Sequence, residues 1–239
     1  MYQRVDVVDR LTVEPAPVTT MRGFAHDTIV QHALARLDGA RGWRVTIEKR
    51  IPVSAGLGGG SSDAATALRL ANSRLEKPLT PRKLHALAGA IGADVPFFLA
   101  DGPQLGSGDG TVLEPLELPQ DFAVLLFLPA AASKSSTADV YAAFDERDGA
   151  DGFAARAARL RETLATVRRP RDLAALPPND LASSPFAERL LELGAFRADV
   201  SGAGPTVYGL FHDRTSAGAA KRALRRLGRG IVTVPAWYG

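Results

Sequence analysis

Residues 51–72 read IPVSAGLGGGSSDAATALRLAN. Gly58, Gly59 and Gly60 stand together ahead of an alanine-rich run with helical spacing, and the alternating stretch WRVTIEKRIP, residues 43–52, leads into them. The local order is strand, glycine loop, helix. Glycine loses more backbone freedom on folding than any other residue, so such a run marks a place of close approach. Backbone N–H groups in a loop of this kind reach oxyanions without side-chain obstruction, and the helix that follows points its positive end at them. Ser61 and Ser62 can cap that helix or donate to phosphate oxygens, and Ser62 can reach a magnesium ion. The pattern is not a P-loop, because no Gly-Lys-Ser/Thr follows. It is not a dinucleotide fingerprint, because serine replaces the third glycine, nor a protein-kinase hairpin, because it leads into a helix. The plainer alternative is a tight strand-to-helix turn with a capping serine.

The rest of the chain bounds what such a loop can serve. Its 239 residues suffice for a sizeable core, and 46% hydrophobic with 23% charged residues is ordinary for a soluble globular protein. The longest apolar run, residues 122–132, is too short for a membrane span, and the opening MYQRVDVVDR carries charges unlike a signal peptide. The absence of cysteine excludes disulfides, thiolate metal sites and a cysteine nucleophile, and fits a cytoplasmic location. A net charge of +3 is weak basicity, suited to an anionic small ligand or simply to solvated helix faces. RLRETLATVRRPR lacks interleaved aromatics and reads as an exposed helix rather than a nucleic-acid arm.

No repeat interrupts the pass along the chain. VDVVDRLTVEP opens with strand character, DTIVQHALARLDG is helical, the glycine loop leads into a helix over about 61–75, and PRKLHALAGAIG is a helix with Thr80 and Pro81 at its start. GSGDG, residues 106–110, is read as a hairpin. A boundary near Pro119 separates two lobes, residues 1–118 and 119–239. The second opens with the apolar strand DFAVLLFLP. It continues through the helices STADVYAAFDERD, GADGFAARAARLRETLATVRR and SPFAERLLELG, the strand–turn–strand ADVSGAGPTVYGLF, the helix SAGAAKRALRRLG and the strand GIVTVPAW. The class is α+β.

The motifs together resemble one family. IPVSAGLGGGSSDAA is similar to the second signature of the GHMP small-molecule kinases, GADVPFFL (92–99) to their catalytic-aspartate turn, PNDL (178–181) to a segment of their second lobe, and VSGAGPTVYGLF (200–211) to their third signature. The likeness runs in order over nearly the whole chain. It is strongest for the branch acting on 4-diphosphocytidyl-2-C-methyl-D-erythritol in non-mevalonate isoprenoid biosynthesis.

The resemblance implies a two-lobed fold, ribosomal-protein-S5-like then ferredoxin-like, with a cleft between the lobes. It implies phosphorylation of the substrate's 2-hydroxyl by ATP with Mg2+, in a monomer or homodimer that binds neither nucleic acid nor membrane. ATP then lies on Pro52, Val53, Ser54, Ala55, Gly56, Leu57, Gly58, Gly59, Gly60, Ser61 and Ser62, with Ser62 as the magnesium contact. Asp94 becomes the catalytic base facing the hydroxyl; read alone, it is a turn or cap residue. Ser201, Gly202 and Gly204 close over the substrate's phosphates and support the nucleotide loop; read alone, they form a hairpin turn. Tyr141 contacts the cytosine, unless it and Phe144 are helix-face core. Asp27 stands where relatives carry an asparagine near the adenine, and an acid there lacks the amide donor. His26, His32, His85 and His212 lack metal-ligand spacing and read as surface or helix residues.

The family's opening Pro-Ala-Lys-Ile-Asn-Leu strand and its Asp-Gly-Tyr-His segment have no counterpart here, and residues 1–6 resemble the strand that follows them. A chain starting at Met1 is therefore expected to have a shortened, destabilised first lobe and weak or absent turnover. Two alternatives stay open: another GHMP kinase, acting on homoserine or a sugar, and a catalytically impaired nucleotide-binding form.

Overall fold

The structure is a computed structural model and describes residues 1–24, 27–130 and 137–236. His26, Ser136 at the start of STADVYAAFDERD, and Trp237 at the end of the closing strand lie outside the described residues. The chain forms two compact units, one of Met1–Val53 and Gly58–Glu117, the other of Ser54–Leu57 and Leu118–Ala236. The tip of the glycine loop is thus counted with the second unit and both of its flanks with the first.

In the first unit, β1 (Arg10–Ala16) and β2 (Thr20–Gly23) flank β3 (Gly42–Glu48), antiparallel on one side and parallel on the other. The alternation along β3 is that of a half-buried strand: Trp43, Val45 and Ile47 point inward, with Val13 from β1 beside them. The helix α1 (Thr28–Leu37) contributes Val30 and Leu34 to this core, and α2 (Gly59–Asn72) contributes Ala67 and Ala71. A second cluster joins Ala33 of α1 and Ala64, Ala65 and Leu68 of α2 to Ala88 of α3 (Pro81–Gly89) and to Val95. Alanine on the buried face of α2 lets its neighbours approach closely, which is why this helix looks alanine-rich rather than leucine-rich. Thr80 caps α3 with Pro81 in its first turn, as the sequence indicates. A 3-10 turn (Pro96–Leu99) follows, then the hairpin of β4 (Gln104–Ser107) and β5 (Val112–Pro115) around GSGDG.

In the second unit, β6 (Ala123–Pro129) is the apolar strand, buried along nearly its whole length. The helices α4 (Thr137–Glu146), α5 (Phe153–Thr166) and α6 (Pro185–Glu192) follow, then β7 (Arg197–Val200), β8 (Val207–Phe211), α7 (Arg214–Leu224) and β9 (Gly228–Thr233). The antiparallel sheet has the order β7-β8-β6-β9. Leu125 and Phe127 of β6 pack with Leu190 of α6 and with Ala217, Ala220 and Leu224 of α7. Helices on one face of an antiparallel sheet make an α+β layer.

Three details differ from the sequence reading. Residues 1–6 belong to no named strand; Tyr2 makes an isolated bridge to Gln104, and strand pairing with β3 begins at Arg10. The strand β2 carries almost no inward-facing apolar residue, so its period-2 signal is absent, and it forms by pairing with β3. The helix after the glycine loop begins at Gly59, two residues ahead of the expected start at Ser61.

Candidate active site

The early start of α2 changes the role of its serines. Gly58 is the N-cap, at φ +65°, with no side-chain cap, and Ser61 and Ser62 lie inside the first turn. A cap has to precede the helix in non-helical geometry, so neither serine caps it. The Ser62 N–H donates to the Gly58 carbonyl over 2.9 Å. By helix geometry the N–H groups of Gly59, Gly60 and Ser61 have no intrahelical acceptor. No acidic side chain occupies this first turn. The arrangement is a helix N-terminus without a side-chain cap, a geometry that suits an anion.

The carboxylate that follows, Asp63, turns inward. It is about as buried as any polar side chain here, with 1% exposure, and its Oδ2 accepts from Lys49 Nζ at 2.6 Å. The same ammonium donates to Asp9 Oδ2 at 2.7 Å. Asp9 Oδ1 accepts the N–H groups of Arg50 at 2.5 Å and Ile51 at 2.9 Å. Burial pushes the Asp63 carboxyl up to about 6 against the hydrogen bond and charge of Lys49, and the charges of Asp9 and Asp27 add to the rise. Burial pulls the Lys49 ammonium down, but hydrogen bonds and charges from Asp63 and Asp9 outweigh it and hold Lys49 above its usual value. Nothing in the spacing of Asp9, Lys49 and Asp63 along the chain announces this ion triad.

The loop tip is built with the third motif. Pro52 and Leu57 are half-buried, Val53 and Ser54 exposed, and Ala55 buried. The Thr206 N–H donates to the Ala55 carbonyl at 3.3 Å, and Ser201 Oγ donates to the Gly56 carbonyl at 2.7 Å. Gly56 has φ +72°, and a Cβ there would stand 2.5 Å from the Ser201 carbonyl oxygen and 2.6 Å from that of Gly204. Only glycine fits this crossing. Asn179, within PNDL, holds the same turn from behind: its Nδ2 donates to the carbonyls of Val200 at 3.1 Å and Gly202 at 2.8 Å, and its N–H donates to Asp199 Oδ2 at 2.7 Å. Ser201, Gly202 and Gly204 therefore brace the loop tip.

Asp94 is exposed in the turn before Pro96–Leu99, and Tyr2 Oη donates to its Oδ1 at 3.2 Å. The Tyr2 ring stacks on Phe97 with centroids 4.9 Å apart, and Arg4 donates to the carbonyls of Phe97 at 3.0 Å and Ala100 at 2.5 Å. The N-terminal segment thus braces the aspartate turn. A Cβ on Gly58 would meet the Phe98 ring at 3.0 Å, so the start of α2 adjoins that turn within the first unit.

Tyr141 is 53% exposed on α4 and Phe144 half-buried, so the reading of Tyr141 as core is overturned. Asp27 is the N-cap of α1; its Oδ1 accepts from the Val30 N–H at 3.0 Å. His85 pairs with the Thr111 carbonyl and His32 with Arg36. Among the described residues no group of three or more His, Cys, Asp or Glu could hold a metal, and no helix is long and apolar enough to cross a membrane. Two surface grooves, about 440 Å³ beside Met21 and Gln31 and about 470 Å³ beside Asp121 and His212, involve none of these loop residues.

Comparison with known proteins decides the family. The model for the GHMP kinases N terminal domain matches residues 25–102, and that for GHMP kinases C terminal matches 183–230. A 4-diphosphocytidyl-2-C-methyl-D-erythritol kinase of Gloeobacter violaceus is 36% identical over 92% of this chain and 79% of its own length. The chain belongs to the GHMP kinase family. A kinase of the same name from Chlorobium phaeobacteroides is 37% identical to this GHMP kinase over 77% of the chain and 66% of its own length. The chain therefore spans roughly two-thirds to four-fifths of these two relatives. A crystal structure of 4-(cytidine 5'-diphospho)-2C-methyl-D-erythritol kinase superposes with a TM-score of 0.75 at 29% identity, covering 98% of this chain and 88% of that one. A mevalonate kinase superposes with a TM-score of 0.77 at only 12% identity, a likeness of fold alone.

Proposed function

We propose that this GHMP kinase transfers the γ-phosphoryl group of ATP to the 2-hydroxyl of 4-diphosphocytidyl-2-C-methyl-D-erythritol, an isoprenoid precursor step of the cytoplasm. The observation that carries the reading is the uncapped first turn of α2, with donors at Gly59, Gly60 and Ser61 and no competing carboxylate. That turn suits the phosphates of ATP, and residues Pro52–Ser62 form the nucleotide loop. In this reading residues 1–118 are the ATP-binding lobe and 119–239 the C-terminal lobe, and the enzyme acts as a monomer or homodimer. The substrate choice follows the names of the relatives at 36% and 37% identity.

Asp94 accepts a hydrogen bond from the substrate hydroxyl, orients it toward the phosphorus and takes its proton as the oxygen–phosphorus bond forms and ADP departs. Positioning and electrostatics supply most of the rate in phosphoryl transfer, so the base need only be well placed. Mg2+ supplies charge neutralisation between the phosphates when bound. Asp63 is engaged by Lys49, and the Ser62 hydroxyl is the contact the loop would offer the ion. Ser201, Gly202 and Gly204 hold the loop tip against the substrate's phosphates, and Tyr141, exposed on α4, stacks on the cytosine.

An ADP-release assay with a panel of alcohols tests this. Turnover of the cytidyl substrate, even if slow, is expected, with little or none of homoserine, mevalonate or galactose. Turnover of homoserine but not of the cytidyl alcohol would refute the substrate, and nucleotide binding without turnover of any alcohol would refute the reaction.

A further inference from the structure

The Lys49 triad takes no part in the transfer just described, yet it lies under the loop. Its members come from three places: Asp9 from the segment before β1, Lys49 from the exit of β3, and Asp63 from the second turn of α2. Both carboxylates are almost fully buried, with 2% and 1% side-chain exposure, and the lysine is 14% exposed. Asp9 also fixes the backbone at Arg50 and Ile51, the residues that open the loop. A Cβ on Gly59 would stand 3.2 Å from Lys49 Nζ and 2.9 Å from Ile51 Cγ2. The first residue of α2 therefore rests on the ammonium and on the side chain that Asp9 positions.

A buried ion pair is a poor source of stability compared with apolar packing of the same volume. Its value is geometric: two short, charge-assisted bonds hold three segments in one register. The segments held are those that set where the open N–H groups of α2 point. Phosphate donors need placement to within a fraction of an ångström, and a misplacement of about 1 Å costs on the order of 100-fold.

We propose that Lys49, anchored by Asp9 and Asp63, is a positioning residue of the nucleotide site, holding the first turn of α2 in the orientation that the phosphates of a nucleoside triphosphate require. The inference rests on the reading of that turn as the phosphate site. It makes the α-carbon of Gly59 a seat for the lysine while the Gly59 N–H stays a donor for the phosphates.

The test is ATP binding by calorimetry, with steady-state KM for ATP and for the alcohol measured in parallel on folded variants. Lys49→Met removes the anchor and is expected to weaken ATP binding by about 10- to 100-fold, as loss of an outer-shell partner does, with the KM of the alcohol unchanged. Asp63→Asn keeps an acceptor for the ammonium and is expected to stay within about threefold, and Lys49→Arg to recover part of the loss. If Lys49→Met does not fold, Asp63→Ala carries the same test, since Asp9 still pairs the lysine while the tie to α2 is cut. A folded Lys49→Met or Asp63→Ala protein that binds ATP like the wild type overturns the positioning role and leaves the phosphate site standing. Equal rises in both KM values would also overturn it, because they mark general loosening. A wild-type chain that binds no ATP overturns the phosphate site and this inference with it.

Discussion

Gly56→Ala is the sharpest test of how the loop tip is built. Two separate costs act there. Alanine at φ +72° sits in the left-handed region, at roughly 1–2 kcal/mol. Its Cβ would also lie 2.5 and 2.6 Å from two backbone carbonyl oxygens, which no rotamer change can relieve. Backbone must move, at about 1–3 kcal/mol by analogy with overpacked cores. That movement strains the 2.7 Å bond from Ser201 Oγ to the Gly56 carbonyl. The total is about 2–5 kcal/mol, the sum of the two ranges. Gly194→Ala is the control in the same unit: φ is +94° and nothing lies within 4 Å of the added Cβ. It carries the backbone cost without the collision. Urea denaturation of both variants, followed by a probe of the second unit, should place Gly56→Ala at least about 1 kcal/mol below Gly194→Ala. Gly56→Ala should also raise the KM for ATP, and Gly194→Ala should not. Equal stabilities, with an unchanged KM for ATP, would refute the close crossing of the loop tip and the third motif.

Asp94→Asn should lower kcat by about 100- to 10,000-fold, the usual weight of a positioned base, while calorimetric ATP affinity stays within error of the wild type. Asn179→Ala removes the donors to the Val200 and Gly202 carbonyls; at about 0.5–1.5 kcal/mol for each hydrogen bond, a loss of about 1–3 kcal/mol in chemical denaturation is expected. Asp63 has a pH signature. Its carboxyl is raised from 3.8 to about 6 in the fold, so between those values the folded chain keeps a proton that the unfolded chain has released. This group therefore makes stability fall as pH rises through that window and adds no further slope above about 6. Asp63→Asn should remove that component of the wild-type profile between pH 4 and 6; superimposable profiles would show that Asp63 does not titrate there.

Much of the architecture was legible because its signals are local. The alternation of Trp43, Val45 and Ile47 announces a half-buried strand, the unbroken apolar run of β6 a buried one, and Thr80-Pro81 the start of α3. The strand β2 was not legible, since TMRG is short and mostly exposed, and it exists because β3 offers it a parallel edge. The start of α2 is not legible in the sequence because Gly59 and Gly60 are poor helix formers in isolation; packing of α2 on β3, α1 and the Pro96–Leu99 turn carries them into the helix.

The same division runs through the site. The order of residues alone established the family, through the glycine loop, GADVPFFL and SGAGPT in succession, and it singled out Asp94. It also required the loop to bind closely, since three successive glycines need a reason. Only the tertiary structure decided what that reason is at three of the loop's glycines. Gly56 crosses the backbone of the third motif, Gly58 opens the helix in left-handed geometry, and Gly59 rests on Lys49. The ion triad could not be read from the chain, because Asp9 lies 40 residues from Lys49, and Lys49 lies 14 from Asp63. Hydrophobic periodicity is imprinted on neighbouring residues by the geometry of helix and strand. A charge pair between distant segments leaves no such imprint and comes into being only when the core brings those segments together.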